Sequence, residues 1–283
     1  MNKILLTGST GFIGSELLRG LSQKNIIFIT LRNKNKFYPK NKNIRIIYFK
    51  KYNQLNSSLK KLSIDTVIHC ASHYVKHHNY EDIIKLSDSN ITFGNIILDN
   101  LDKMKVKKFI NFSTGWVNYN GKKNNCFNLY STYKKNFNEI INFYKKKFKK
   151  IKFFNLVLLD TFGENDKRKK IISLLKTNYK KNKSKTIISK RLSLNLLNIL
   201  DIQNAINLIL QKKIEPDTYV LKNKINYSML DIVNKINKES SKKIKIKWLS
   251  NKILKEKIYN YKQIKKWRPI NSKIQDIVDL IKK

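Results

Sequence analysis

Three of the chain's eight glycines fall at three-residue spacing near the N-terminus, in Thr7-Gly8-Ser9-Thr10-Gly11-Phe12-Ile13-Gly14. An apolar run, Lys3 to Thr7, leads into this turn, and a helical pattern follows it to about Leu21. Glycine lets the backbone turn sharply and approach a pyrophosphate with no Cβ in the way. The helix that follows offers unpaired N–H groups and the positive end of its dipole. The chemistry implied is dinucleotide binding.

A second pattern could handle a proton. Y-x-x-x-K says little alone in a chain with 14 tyrosines and 54 lysines, and it occurs five times, starting at Tyr38, Tyr119, Tyr130, Tyr179 and Tyr261. Position selects one of them. Tyr130 and Lys134 open a long helical pattern, shortly after an apolar strand, Phe109 to Phe112, that ends in Ser113 and Thr114. Residues four apart share a helix face, so both side chains can address one ligand. A carbonyl accepting hydride develops negative charge on oxygen and needs a proton donor within reach. A phenol is a poor acid–base group at neutral pH, and a nearby ammonium draws its pKa down.

These residues need a scaffold to hold them, and the apolar runs supply one. Runs at residues 3–7, 26–31, 44–49, 66–70, 109–112 and 153–159 alternate with helical stretches, notably 82–101 and 130–147. Short apolar strands alternating with helices read as a parallel sheet covered on both faces. The fold class expected is α/β: a Rossmann-like doubly wound sheet over residues 1–160, with a smaller mixed α/β lobe over 161–283. Residues 194–210 are expected to return to the first domain.

The glycine spacing is G-x-x-G-x-x-G, with Thr7 before the first glycine and Phe12-Ile13 before the last. In that form it resembles the extended short-chain dehydrogenase/reductase family, whose members mostly act on nucleotide-activated sugars. The resemblance continues through Asp65–Ala71, through Asn90-Ile91-Thr92-Phe93-Gly94-Asn95, and through Trp267-Arg268-Pro269 with Ile274–Ile277. It implies that Gly8, Thr10, Gly11, Phe12, Ile13, Gly14 and Ala71 contact the dinucleotide. It also implies that Tyr130 is the acid/base, that Lys134 tunes it and holds the nicotinamide ribose, and that Thr114 orients the sugar oxygen.

Arg32 follows the second strand where an NAD site usually places an acid, with Lys34 just beyond. A cation there can pair with a 2′-phosphate, so NADP(H) is favoured and NAD(H) remains possible. The third strand leads to Lys50-Lys51-Tyr52 where the family often has Gly-Asp. Substrate contacts are expected from His73, Asp160 and Arg191.

Among the family's reactions, sugar 4,6-dehydration is disfavoured, because Gly115 and Trp116 stand where dehydratases carry an acidic pair. The reading that remains is reduction of a 4-keto sugar on a nucleotide diphosphate, as in reductases of CDP- or dTDP-linked deoxysugars. The alternatives are a 4-epimerase holding NAD tightly and a non-catalytic NADP(H)- or RNA-binding member of the fold. By the same resemblance, helices 82–101 and 130–147 would form a homodimer contact.

Composition narrows the remaining classes. The chain has 283 residues and a formal net charge of +41, carried by 54 Lys and only 6 Arg. A surface built to grip phosphates or bases would use more Arg. With 36 Asn and abundant Ile, the excess reads as drift from an AT-rich coding sequence, and no specific nucleic acid is expected. No apolar run reaches the roughly 18 to 20 residues that span a bilayer, so no membrane insertion is expected. Two cysteines, Cys70 and Cys126, exclude a disulfide scaffold and a cysteine-rich zinc site, and favour a reducing, cytoplasmic setting. His73 and His77 could share a helix face, but no His-Glu-x-x-His pattern or convergent carboxylate accompanies His69, His73, His77 and His78, so no metal is expected.

Overall fold

The computed structural model describes residues 1–33, 41–181, 184–211 and 214–283. Lys34 and Tyr38, singled out above, lie outside the described residues. The chain divides into two compact units: Met1–Val157 with Ile214–Val220 and Tyr259–Lys262, and Leu158–Lys213 with Leu221–Ile258 and Gln263–Lys283. The segments that rejoin the first unit are therefore 214–220 and 259–262. Residues 194–210 cluster with the second unit instead, because Leu196–Asn198 pairs with Asp160–Phe162 and Ile199–Gln211 runs on from it as a helix.

The first unit runs β1 (Lys3–Thr7), α1 (Phe12–Leu21), β2 (Ile26–Leu31), β3 (Ile44–Tyr48), α2 (Tyr52–Leu59), β4 (Thr66–His69), α3 (Tyr80–Ser87), α4 (Phe93–Asp99), β5 (Lys108–Thr114), α5 (Leu129–Lys147) and β6 (Lys152–Leu158). With Thr218–Leu221 these strands form a seven-stranded sheet, in which β3, β2, β1, β4, β5 and β6 lie side by side and Thr218–Leu221 flanks β6. Pairing is parallel from β3 through β5. The order reverses direction between β1 and β4, and a crevice beyond the carboxyl ends of such strands is where open α/β sheets take their ligands.

The strands read as continuous apolar runs because both faces are covered: Ile4, Leu5 and Leu6 of β1 and all of β4 are buried. One core cluster packs Leu5, Val67, Phe109 and Phe153 of the sheet against Phe93 and Ile97 of α4 and Phe137 and Ile141 of α5. The long helix expected over 82–101 is interrupted. A π-turn, Asp88–Thr92, joins α3 to α4. A π-turn takes an extra residue into the helix and is frequent at functional sites.

In the second unit, helices Ile171–Lys181, Met229–Glu239 and Ile274–Lys282 share a core with Phe162, Leu196 and Tyr227. Asp201, fully buried, accepts hydrogen bonds from the backbone N–H groups of Ile270 and Asn271, from Asn271 Nδ2 and from Ser272 Oγ. Its own carbonyl accepts from Trp267 Nε1 at 3.0 Å. The Asp201 segment and the Trp267-Arg268-Pro269 turn are thus one structural device. No described helix is long and apolar enough to cross a membrane.

Candidate active site

The glycine turn closes as its residue types require. Gly8 has φ +70° and lies so near the strand β4 exit that a Cβ would come within 2.5 Å of Ala71 N. A Cβ on Gly14 would meet Gly8 O at 2.2 Å. Those two glycines are demanded by backbone packing. Gly11 differs: a Cβ there would meet only Gly8 O, at 3.4 Å. Gly11 also caps α1, where the first-turn N–H groups have no helical partner. Gly8, Thr10 and Gly11 line a cavity of about 340 Å³ with Arg32, Phe49, Ala71 and Phe93. Open backbone at Gly11, a helix N-terminus and aromatic walls fit a dinucleotide. Phe12 and Ile13 begin α1 beyond the turn.

Beneath the cavity, Thr7 Oγ1 accepts from Ala71 N at 3.2 Å and shares a hydrogen bond with His69 Nδ1 at 2.9 Å. His69 sits against Phe93, Phe109 and Phe137, and burial pushes its pKa down to about 3. A neutral imidazole locked in this way ties β1 to β4. Among the described residues, no three His, Cys, Asp or Glu side chains come together as a metal site.

Lys134 is on the first turns of α5, which Asn128 caps through Ser131 N. It is 4% exposed, and its Nζ donates to Phe112 O at 2.9 Å. Burial pushes its pKa down to about 8. Tyr130, one turn earlier on the same face, has the Tyr74 ring edge-on to it at 5.1 Å. Tyr74 in turn packs on Trp116 at 5.9 Å, and Trp116 on Phe127 at 4.8 Å. Thr114 ends β5, and its Oγ1 accepts from Trp116 N at 3.3 Å. The strand with Ser113-Thr114 and the helix with Tyr130 and Lys134 are therefore adjacent, as their sequence order suggested. Ser113 itself is buried and accepts from Asn138 Nδ2.

The chain belongs to the NAD dependent epimerase/dehydratase family. The family's model matches residues 4–221. A CDP-abequose synthase of Yersinia pseudotuberculosis is 29% identical over 206 residues, 72% of this chain and 71% of that protein. A dTDP-D-glucose 4,6-dehydratase of Dictyostelium discoideum is 30% identical across 83% of this chain, which spans only 62% of that longer protein. Solved structures show the same fold. The UDP-glucuronic acid 4-epimerase of Bacillus cereus, in complex with UDP-glucuronic acid and NAD, superposes with a TM-score of 0.79 at 21% identity over 99% of both chains. A dTDP-glucose 4,6-dehydratase of Bacillus anthracis in complex with NAD reaches 0.81 at 18% identity, over 99% of this chain and 96% of that one.

Some site residues have partners that sequence reasoning did not foresee. Arg32 lines the cavity but is bound to Asp88, 56 positions away, at 2.7 Å. His73 Nε2 lies 3.2 Å from Asp82 Oδ1, and its backbone N–H and C=O are clamped by the Asn90 side chain of the π-turn. Asp160 and Arg191 belong to the second unit. There Asp160 pairs with Lys170 at 3.1 Å. Arg191 is exposed and leads into the strand Leu192–Leu194. Near Asp160, burial pushes the Glu256 carboxyl up to about 7, although Asn195 N donates to it. Asp88, Tyr74 and Glu256 carry no local motif, whereas Asn90 heads the Asn90–Asn95 stretch that carries part of the resemblance. Only the polar Asp88-Ser89-Asn90 run inside an otherwise helical pattern hinted at Asp88.

Proposed function

We propose that the chain reduces a 4-keto sugar linked to a nucleotide diphosphate, with NADPH as the preferred hydride donor. The observation that carries this reading is the buried Lys134 one turn from Tyr130, on a helix beside Thr114, in a unit whose glycine turn lines a cavity of about 340 Å³. When bound, the nicotinamide supplies the hydride. Tyr130 donates the proton to the oxygen that gains negative charge. The Lys134 ammonium stabilises the phenolate left behind, and the Thr114 hydroxyl orients the sugar oxygen.

Gly115 and Trp116 support reduction over dehydration, because neither side chain can move a proton at the lower carbons of the sugar. Similarity to two CDP-abequose synthases, of Yersinia pseudotuberculosis and Salmonella muenchen, supports a CDP-linked substrate. Arg32 in the cavity supports NADPH. His73, Asp160 and Arg191 are proposed to meet the substrate. The exposed Tyr80, Ile83, Ile84 and Phe143 of α3 and α5 support pairing with a second copy through those helices. A cytoplasmic setting suits both substrates.

A second reading, a 4-epimerase with retained NAD, draws on Asp88, which offsets the Arg32 charge. Denaturing freshly purified protein and identifying any nicotinamide released separates the two. Stoichiometric NAD moves the epimerase ahead. An empty site that takes up NADPH supports the reductase, and Tyr130→Phe should then bind cofactor yet lose most turnover. Unchanged turnover in that variant removes Tyr130 as the acid.

A further inference from the structure

At the adenosine end of the dinucleotide cavity, three side chains from distant elements form a closed set. Arg32 follows β2, Tyr52 opens α2, and Asp88 begins the π-turn. Arg32 Nη1 donates to Asp88 Oδ2 at 2.7 Å, Arg32 Nη2 donates to Tyr52 Oη, and Tyr52 Oη donates to Asp88 Oδ1. The guanidinium also rests on an aromatic shelf: its Cζ is 5.3 Å from the Tyr52 ring centroid and 5.6 Å from that of Phe49. Phe49 stacks on Phe93 at 5.9 Å with only 4° between the ring planes.

Arg32 and Ser89 line the cavity, but Asp88 does not. Both Asp88 carboxylate oxygens are already engaged, Oδ2 by Arg32 and Oδ1 by Tyr52, so the guanidinium is the group of the pair that the cavity presents. We propose that Asp88 is the specificity-determining counter-charge of this site: held against Arg32, it offsets the cation a 2′-phosphate needs and leaves the cavity able to take NADH as well as NADPH. This rests on reading the cavity as the dinucleotide site.

The electrostatics follow from position. A phosphate entering from the cavity is nearer the guanidinium than the carboxylate paired with it, and Coulomb attraction falls with distance. A preference for the phosphate survives, but it is reduced. A ribose 2′-hydroxyl carries no charge and feels the pair hardly at all. The charge on Asp88 should therefore move NADPH binding and leave NADH binding almost unchanged. Both side chains are part-exposed, Arg32 at 49% and Asp88 at 31%. Salt should shrink the difference.

Asp88→Asn is the informative change. It keeps an oxygen that accepts from Arg32, while the shelf and Tyr52 hold the guanidinium plane, so charge is lost with little change of shape. The native chain, Asp88→Asn, Asp88→Ser and Arg32→Leu are each titrated with NADPH and with NADH, and binding is followed calorimetrically. Asp88→Asn should tighten NADPH about three- to tenfold and change NADH by less than about twofold. Asp88→Ser should shift the ratio in the same direction, and Arg32→Leu should abolish the preference for NADPH. NADH binding reports in each case that the site is intact, which a merely structural loss would not spare. A ratio in both Asp88 variants within about twofold of native, or weaker NADPH binding, overturns the role of Asp88 alone. A native chain that binds neither dinucleotide overturns the cavity reading as well.

Discussion

Lys134 Nζ donates to the carbonyl oxygen of Phe112 at 2.9 Å, which ties the start of α5 to the end of β5 through a buried ammonium. Burial disfavours the charged form and brings its pKa down to about 8 from the ordinary 10.5. The ammonium is thus present below about pH 8 and is lost as pH rises through that value. If it stabilises the Tyr130 phenolate, kcat/KM for reduction should fall on the alkaline side with a midpoint near 8, since that ratio reports the free enzyme. Lys134→Met should lose most activity and the alkaline limb with it. A profile flat from pH 7 to pH 10 would separate Lys134 from the chemistry.

The three glycines of the turn should respond differently to a single methyl. Alanine at Gly14 would drive its Cβ to 2.2 Å from Gly8 O, and alanine at Gly8 would combine a positive φ with a 2.5 Å approach to Ala71 N. Each should destabilise the fold by about 1–3 kcal/mol or more, as forced overpacking does. Gly11→Ala has room and should melt close to native. Its methyl would stand at the open N-terminus of α1, so NADPH and NADH should both bind at least about tenfold more weakly, a loss of about 1.4 kcal/mol. Thermal melts with and without dinucleotide distinguish the two behaviours.

What was legible in the sequence was local. Gly8, Gly11 and Gly14 announce a turn because three of eight glycines fall at one spacing, and at Gly8 and Gly14 no side chain fits. The strands announce themselves because most of their buried side chains are apolar. Tyr130 and Lys134 were readable because one helix carries both and a nearby strand precedes them. What was not legible came from pairings across long stretches of chain. Arg32 reads as a free cation until the fold brings Asp88 beside it. Asp88 gets there from a π-turn, which has no apolar periodicity of its own to reveal it. The return of 214–220 and 259–262 to the first unit was missed for the same kind of reason: the sheet edge recruits a short apolar strand, Thr218–Leu221, whose partner in β6 lies some 60 residues earlier.

In the second unit, Asp201 holds the turn at residues 270–272 through the donors that surround it. Asp201→Ala would take the acceptor from the buried Ser272 hydroxyl and from the part-buried N–H groups of residues 270 and 271, at about 1–3 kcal/mol for each one left unsatisfied. Urea unfolding should show a loss of at least about 3 kcal/mol, while Asp201→Asn, which keeps one acceptor, should lose less. Equal losses in the two variants would show that packing, not hydrogen bonding, accounts for the site.

Gly94 tests how closely α4 and α5 are packed beside β4 and β5. A Cβ there would lie 2.5 Å from Cε2 and Cζ of Phe137 and 3.2 Å from His69 Nε2. The Phe137 ring is 1% exposed and lies 5.3 Å from the His69 ring, so it has little freedom to move away. Glycine to alanine inside a helix ordinarily gains up to about 1 kcal/mol, and here the clash should reverse the sign, for a net loss of about 1–3 kcal/mol. Phe137→Leu alone should also destabilise, by leaving space in the core. Combined with Gly94→Ala, the smaller leucine makes room for the new methyl, so the double variant should lose less than the sum of the two single changes. Additive losses would mean that the two helices adjust independently, and that Gly94 does not set their spacing.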